Sequence, residues 1–151
     1  MTLSEAYSWA ARRCALRELC PFDIEQKLRQ RDTAEADIFA VIDRLVEEKY
    51  IDIQRYASAF IRDKIRFDHW GRHKVAYALR MKDIPERYIR EALQEIDAEE
   101  YRSILCQVLA GKQRTVRGKS EWDCRQKVAA FAQRRGFELD LIFELLEDLN
   151  D

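Results

Sequence analysis

The sequence predicts an all-α protein: three tandem three-helix repeats, about nine helices, stacked into an elongated curved array. Three observations predict it. Only four Gly and two Pro occur in 151 residues, and sheets joined by tight turns ordinarily need more of both. Ala, Leu, Arg, Glu, Ile and Asp dominate while Val and Thr are sparse, a mixture that leans helical. One apolar pattern recurs three times.

The first copy of that pattern is Ile24, Leu28, Ile38, Ile42 and Leu45, with spacings of 4, 10, 4 and 3. Val75, Leu79, Ile89, Leu93 and Ile96 repeat it 51 residues on, and Val128, Ala132, Ile142, Leu146 and Leu149 repeat it after a further 53. Basic residues recur in the same register at Arg31, Lys82 and Arg135. Steps of 4 and 3 place side chains on one helix face, and the step of 10 crosses a turn between two helices.

A further helix precedes each pair. The first is expected over 3–19, opened by Thr2 and Glu5 in capping-box spacing. The second is expected over 53–67 behind Asp52, and the third over 98–109 behind Asp97 and Glu100, another box. Pro21 and Pro85 suit first-turn positions, where the missing N–H costs nothing. Gly71 marks the start of the middle copy's second helix, and Gly136 follows Arg134 and Arg135 as a C′ glycine should. Residues 111–120 lack apolar periodicity and read as an exposed, mobile basic loop. The units are therefore 1–50, 51–96 and 97–151, the last holding that loop. A unit of this size buries too little surface alone, and stacking covers the leftover faces.

The net charge of −1 hides an alternation. Residues 54–90 carry ten Lys/Arg against four Asp/Glu, and residues 111–135 carry eight against two. Residues 91–110 carry five acids and one base, and 136–151 six acids and none. Such blocks suit a charged partner. No apolar stretch approaches the roughly 20 residues of a membrane span, and Met1 to Arg13 lacks the layout of a signal peptide. Cys14, Cys20, Cys106 and Cys124 form no CxxC pair and no zinc spacing, so they are expected as reduced thiols of a cytoplasmic protein.

Several sharper motifs fail on their own chemistry. Gly111 to Ser120 ends in Gly118-Lys119-Ser120, but six residues separate its glycines where a phosphate loop has four, and a helix precedes it where a strand is needed. His69 and His73 lack a third metal ligand, and Gly71 lies between them. Trp9, Tyr56, Phe60, Phe67, Trp70 and Tyr77 could stack on bases, yet at helical spacing they are expected in the core. Trp9 and Phe60 are 51 residues apart, at matching repeat positions. Trp70 and Trp122 stay undecided between the two roles. No HExxH, GxSxG or dinucleotide turn occurs, so no catalytic residue, metal or cofactor is expected.

The order of the remaining motifs carries a family resemblance. Leu45 to Asp52, then Arg55-Tyr56-Ala57 and Ala59-Phe60-Ile61-Arg62, then Trp70-Gly71-Arg72-His73-Lys74-Val75 and Leu79-Arg80, resemble the core signature of the RecX family. Arg134-Arg135-Gly136-Phe137 with Ile142 and Leu146 resembles its C-terminal element. Asp52-Ile53 stands where the family commonly has an acidic pair, and Ala132 is smaller than its counterparts. The resemblance implies three tandem three-helix repeats and no cofactor. It implies a regulator that binds RecA, lies along the groove of the RecA–DNA filament, and restrains strand exchange, coprotease activity and ATP hydrolysis. DNA itself, single- or double-stranded, is at most a weak partner, and a monomer without a membrane association is expected.

The basic blocks supply the expected contacts. Arg62, Lys64, Arg66, Arg72, His73 and Lys74 come first, followed by Lys112, Arg114, Arg117 and Lys119. The alternative is a helical DNA-binding protein independent of RecA, built of helix-turn-helix-like units. A net charge near zero weighs against it, because phosphate neutralisation supplies most of such affinity.

Overall fold

The computed structural model describes residues 1–150, the side chain of residue 150 excepted. Among them are nine helices and no strand. They are α1 (Leu3–Leu16), α2 (Pro21–Gln30), α3 (Glu35–Glu47), α4 (Ile53–Arg66), α5 (Arg72–Arg80), α6 (Glu86–Gln94), α7 (Ala98–Gln113), α8 (Glu121–Arg134) and α9 (Leu139–Asn150). None is long and apolar enough to cross a membrane.

Local chemistry sets the starts. Thr2 and Glu5 form the reciprocal box on α1, and Asp52 accepts from the Arg55 N–H on α4. Asp97 accepts from the Glu100 N–H, but the Glu100 carboxylate turns to Arg66 instead of closing a box. Pro21 opens α2 at its first position, whereas Pro85 stands one residue earlier as the N-cap of α6. The first helix stops at Leu16, three residues short of its expected end. α7 runs on through Gly111, Lys112 and Gln113, so the basic loop begins only at Arg114. That loop is tied down: the Val116 N–H bonds the Lys112 carbonyl at 2.9 Å, and the Lys119 N–H bonds Asp123 at 3.0 Å.

The middle helix of every triplet ends in the same turn. Thr33, Ile84 and Phe137 donate to the carbonyls of Leu28, Leu79 and Ala132 at 3.1–3.2 Å. Before each stands a left-handed residue, Asp32, Asp83 or Gly136, with φ of 54°, 58° and 101°. Asp tolerates this region. The third turn requires glycine for a second reason: a Cβ on Gly136 would lie 2.4 Å from the Lys74 Cβ.

The helices pack in consecutive triplets, α1–α3, α4–α6 and α7–α9. The first encloses its own core around Ile24, Leu28, Val41 and Leu45, while the second and third share one continuous core from Ile61 and Leu79 to Leu105 and Leu146. The exposed surface is 9341 Å², where size scaling gives roughly 8000 Å² for a compact chain of this mass. The excess fits units laid in a row. Most positions of the repeated pattern are buried, but Ile42, Leu93 and Ile96 are only half-buried and Leu149 is exposed.

The recurring basic residues fasten neighbouring triplets. Lys82 reaches back from the turn after α5 to Asp23 on α2 at 2.9 Å and to the Tyr56 hydroxyl at 2.9 Å. Arg135 reaches back from α8 to the carbonyls of His69, at 3.1 Å, and Asp68. Arg31, in the first triplet, lies over Trp9 instead. Tyr56 and Tyr101 occupy the same place, the fourth residue of α4 and of α7. Each aims its hydroxyl at the preceding triplet, and burial pushes both hydroxyls well above their ordinary values, so they stay protonated.

The Lys82–Asp23 pair makes the first junction sensitive to acid. Burial alone would raise the Asp23 carboxyl, but the hydrogen bond and charge of Lys82 outweigh it and hold it below the usual range. A depressed carboxylate contributes stability that is present above its unfolded value of about 3.9 and is lost as pH falls through the lower folded value. Thermal stability is therefore expected to fall from about pH 4 downward, and less steeply in Asp23→Asn. Parallel melting curves for both proteins across that range would contradict the assignment.

Candidate partner-binding surfaces

The expected contact residues divide into those engaged inside the chain and those left free. Arg66 holds Glu100 on α7 at 2.6 Å. Arg72 holds Glu138 at 2.7 Å and stacks on Tyr101, 3.8 Å from its ring centroid. Its backbone N–H donates to the Tyr101 hydroxyl, which in turn donates to Glu138. These two arginines are ties between the second and third triplets.

Lys64 and Lys74 converge on Trp70, 4.9 and 4.4 Å from its ring. This resolves Trp70 as a half-buried platform for two cations, a role that suits its quadrupole. Lys64 also pairs with Asp68 at 3.0 Å, and Arg62 lies 3.5 Å from its neighbour Asp63. His73 is exposed on the first turn of α5, and its N–H bonds the Gly136 carbonyl.

The second block forms a track. One depression is lined by His69, Gln107, Lys112, Thr115, Phe131 and Arg135. A second continues from Lys112 and Thr115 past Arg117 and Lys127 to Arg134. Neither holds a carboxylate in its lining. Lys112 lies over Phe131 at 4.9 Å, and Lys127 donates to the Arg117 carbonyl. Arg114 and Lys119 are exposed at the ends of the loop. Lys127 also pairs with Asp123 at 3.3 Å, outside the two linings. A cationic trough crossing the seam between two triplets suits a polyanion or an acidic protein surface. Lys127, Arg134 and His69 are not among the expected contacts, although the two basic blocks that hold them, 54–90 and 111–135, carry a visible excess of Lys and Arg.

Two aromatic expectations are corrected. Phe67 and Tyr77 are 76% and 61% exposed, not in the core. The other members of that group, Trp9, Tyr56 and Phe60, are buried or packed against a core. Trp122, at the head of α8, is exposed. All four cysteines are free thiols, and burial pushes Cys20 up to about 11, which leaves it unreactive.

Comparison with known proteins agrees with this architecture. The second three-helix domain of RecX matches residues 54–93, and the third three-helix domain of RecX matches residues 99–146. The chain is 30% identical to regulatory protein RecX of Chlorobium phaeobacteroides, across 96% of this chain and 93% of that one. It is 27% identical to regulatory protein RecX of Bacillus cytotoxicus over 85% of its own length, but spans only 48% of that longer relative. A crystal structure of regulatory protein RecX superposes with a TM-score of 0.88 at 26% identity, covering 97% of this chain and 73% of that one.

Proposed function

The chain belongs to the RecX family, and on that premise we propose that it binds RecA and the RecA–DNA filament and restrains recombinase, coprotease and ATPase activity. It acts in the cytoplasm as a monomer, by binding and not by catalysis, and needs no cofactor. The observation that carries this reading is the row of three fastened triplets with a cationic trough across the second seam. A rod of this kind can lie along a filament groove and touch successive protomers, so weak contacts on separate triplets add through avidity. The contacts are assigned to Arg62, Lys64, His73 and Lys74 on one side and Lys112, Arg114, Arg117 and Lys119 on the other. Arg66 and Arg72 contribute by holding the two surfaces in register.

Substoichiometric amounts of the protein are expected to slow DNA-dependent ATP hydrolysis by RecA of the same organism. An unchanged rate at equimolar protein would refute the reading. The triple reversal Arg62→Glu, Lys64→Glu, Lys74→Glu is expected to weaken filament binding by about tenfold with helical content unchanged. Equal binding would move the contact surface elsewhere. Titration of bare DNA at two salt concentrations separates the RecA-independent alternative, which requires tight binding with a steep salt slope.

A further inference from the structure

The repeat provides an internal control for the outer face of α5. Tyr77 and Met81 stand four residues apart on that face and are 61% and 55% exposed. By the register of the repeated pattern, the same two positions hold Gln26 and Gln30 in the first triplet and Ala130 and Arg134 in the third. Gln26, Gln30 and Arg134 are likewise exposed. The scaffold therefore does not need large apolar groups there, and only the middle triplet has them. Side chains four apart lie one above the other on a helix, so Tyr77 and Met81 form a single apolar stripe, with His73 one turn earlier.

The charge on α5 itself is of one sign, although Asp83 and Glu86 follow it in the chain. α5 contains Arg72, His73, Lys74 and Arg80 and no carboxylate along its length. Lys74 and Arg80 sit three residues to either side of Tyr77. Arg80 is paired with Glu86, but Lys74, and Arg87 and Arg90 on the adjoining α6, have no carboxylate within ion-pairing distance among the described residues. An amphipathic helix with apolar anchors at this spacing fits a hydrophobic groove on a protein. The flanking cations select a groove edged by carboxylates.

We infer that the α5 stripe of Tyr77 and Met81 is a docking surface for a protein partner that presents an apolar groove with an acidic rim. The inference rests on the filament-binding function proposed above, and places part of that contact on protein instead of DNA. The trough beside Lys112 and the stripe on α5 are then separate contacts with different chemistry.

The test compares the full-length wild type, Tyr77→Ser/Met81→Ser and Tyr77→Phe for binding to RecA filaments on single-stranded DNA and to the bare oligonucleotide. The double variant is expected to bind filaments at least about tenfold more weakly, as loss of two interface anchors does. Its binding to the bare oligonucleotide and its melting temperature stay at wild-type values, and Tyr77→Phe retains most of the filament affinity. Equal filament binding by the double variant overturns the inference while leaving the proposed function standing. A parallel loss on the bare oligonucleotide assigns the stripe to nucleic acid, and concentration-dependent self-association abolished by the double variant assigns it to a second copy; either result overturns the inference. A wild type that does not bind filaments sinks the proposed function first and the inference with it.

Discussion

Gly71→Ala is expected to lower the melting temperature by roughly 10 °C, through a loss of about 3 kcal/mol or more in a chain of this size. Gly71 is the N-cap of α5, and its N–H donates to the Arg135 carbonyl at 2.7 Å. A Cβ at this position would stand 2.2 Å from the Gly136 carbonyl carbon and 2.3 Å from the Phe137 nitrogen. Those atoms are backbone, so no rotamer change relieves the clash. The second and third triplets would have to separate, losing the Gly71–Arg135 and His73–Gly136 bonds together. The residual structure is expected to keep the separate core of the first triplet. A calorimetric transition within about 2 °C of wild type would contradict a close backbone approach at this seam.

Leu79→Asp is expected to abolish the cooperative unfolding transition of the second and third triplets. Leu79 is fully buried in their shared core, and a carboxylate there would be stranded without a partner, at a cost above about 4 kcal/mol. Leu93→Asp is the contrast. Leu93 belongs to the same apolar pattern but is half-buried, and it lines a surface groove with Arg72, Arg80 and Arg90 and one carboxylate, Glu86. A carboxylate at that position meets water and cations, so the expected cost is about 1 kcal/mol. Circular dichroism melts of the two variants decide the point. Equal destabilisation would mean that the groove closes over Leu93 in solution.

These two leucines show what periodicity reveals. Spacing identifies the face of a helix, and it placed Ile24, Val75 and Ile142 in cores. It does not reveal what covers that face, so Leu93, Leu149 and Tyr77 are more exposed than the pattern suggests. Caps at Thr2 and Asp52 were legible because their partners lie within one turn. The engagement of Arg66 and Arg72 was not, because Glu100 and Glu138 are 34 and 66 residues away. Recurrence in register was the best guide to long-range structure. Arg31, Lys82 and Arg135 stood out as a repeated cation before any contact was visible, and two of them fasten the triplets. The same register exposes Tyr77 and Met81 as exceptions that the scaffold does not require. The family resemblance points to one partner where charge could not, since the basic blocks alone fit several.

The most direct measurement is a density map of the protein bound to a RecA filament on single-stranded DNA. The expected result is continuous rod-shaped density along the groove, contacting more than one RecA protomer, with the Lys112 trough and the end of α4 turned toward the filament. Density confined to filament ends, or to bare DNA between filaments, would contradict the account.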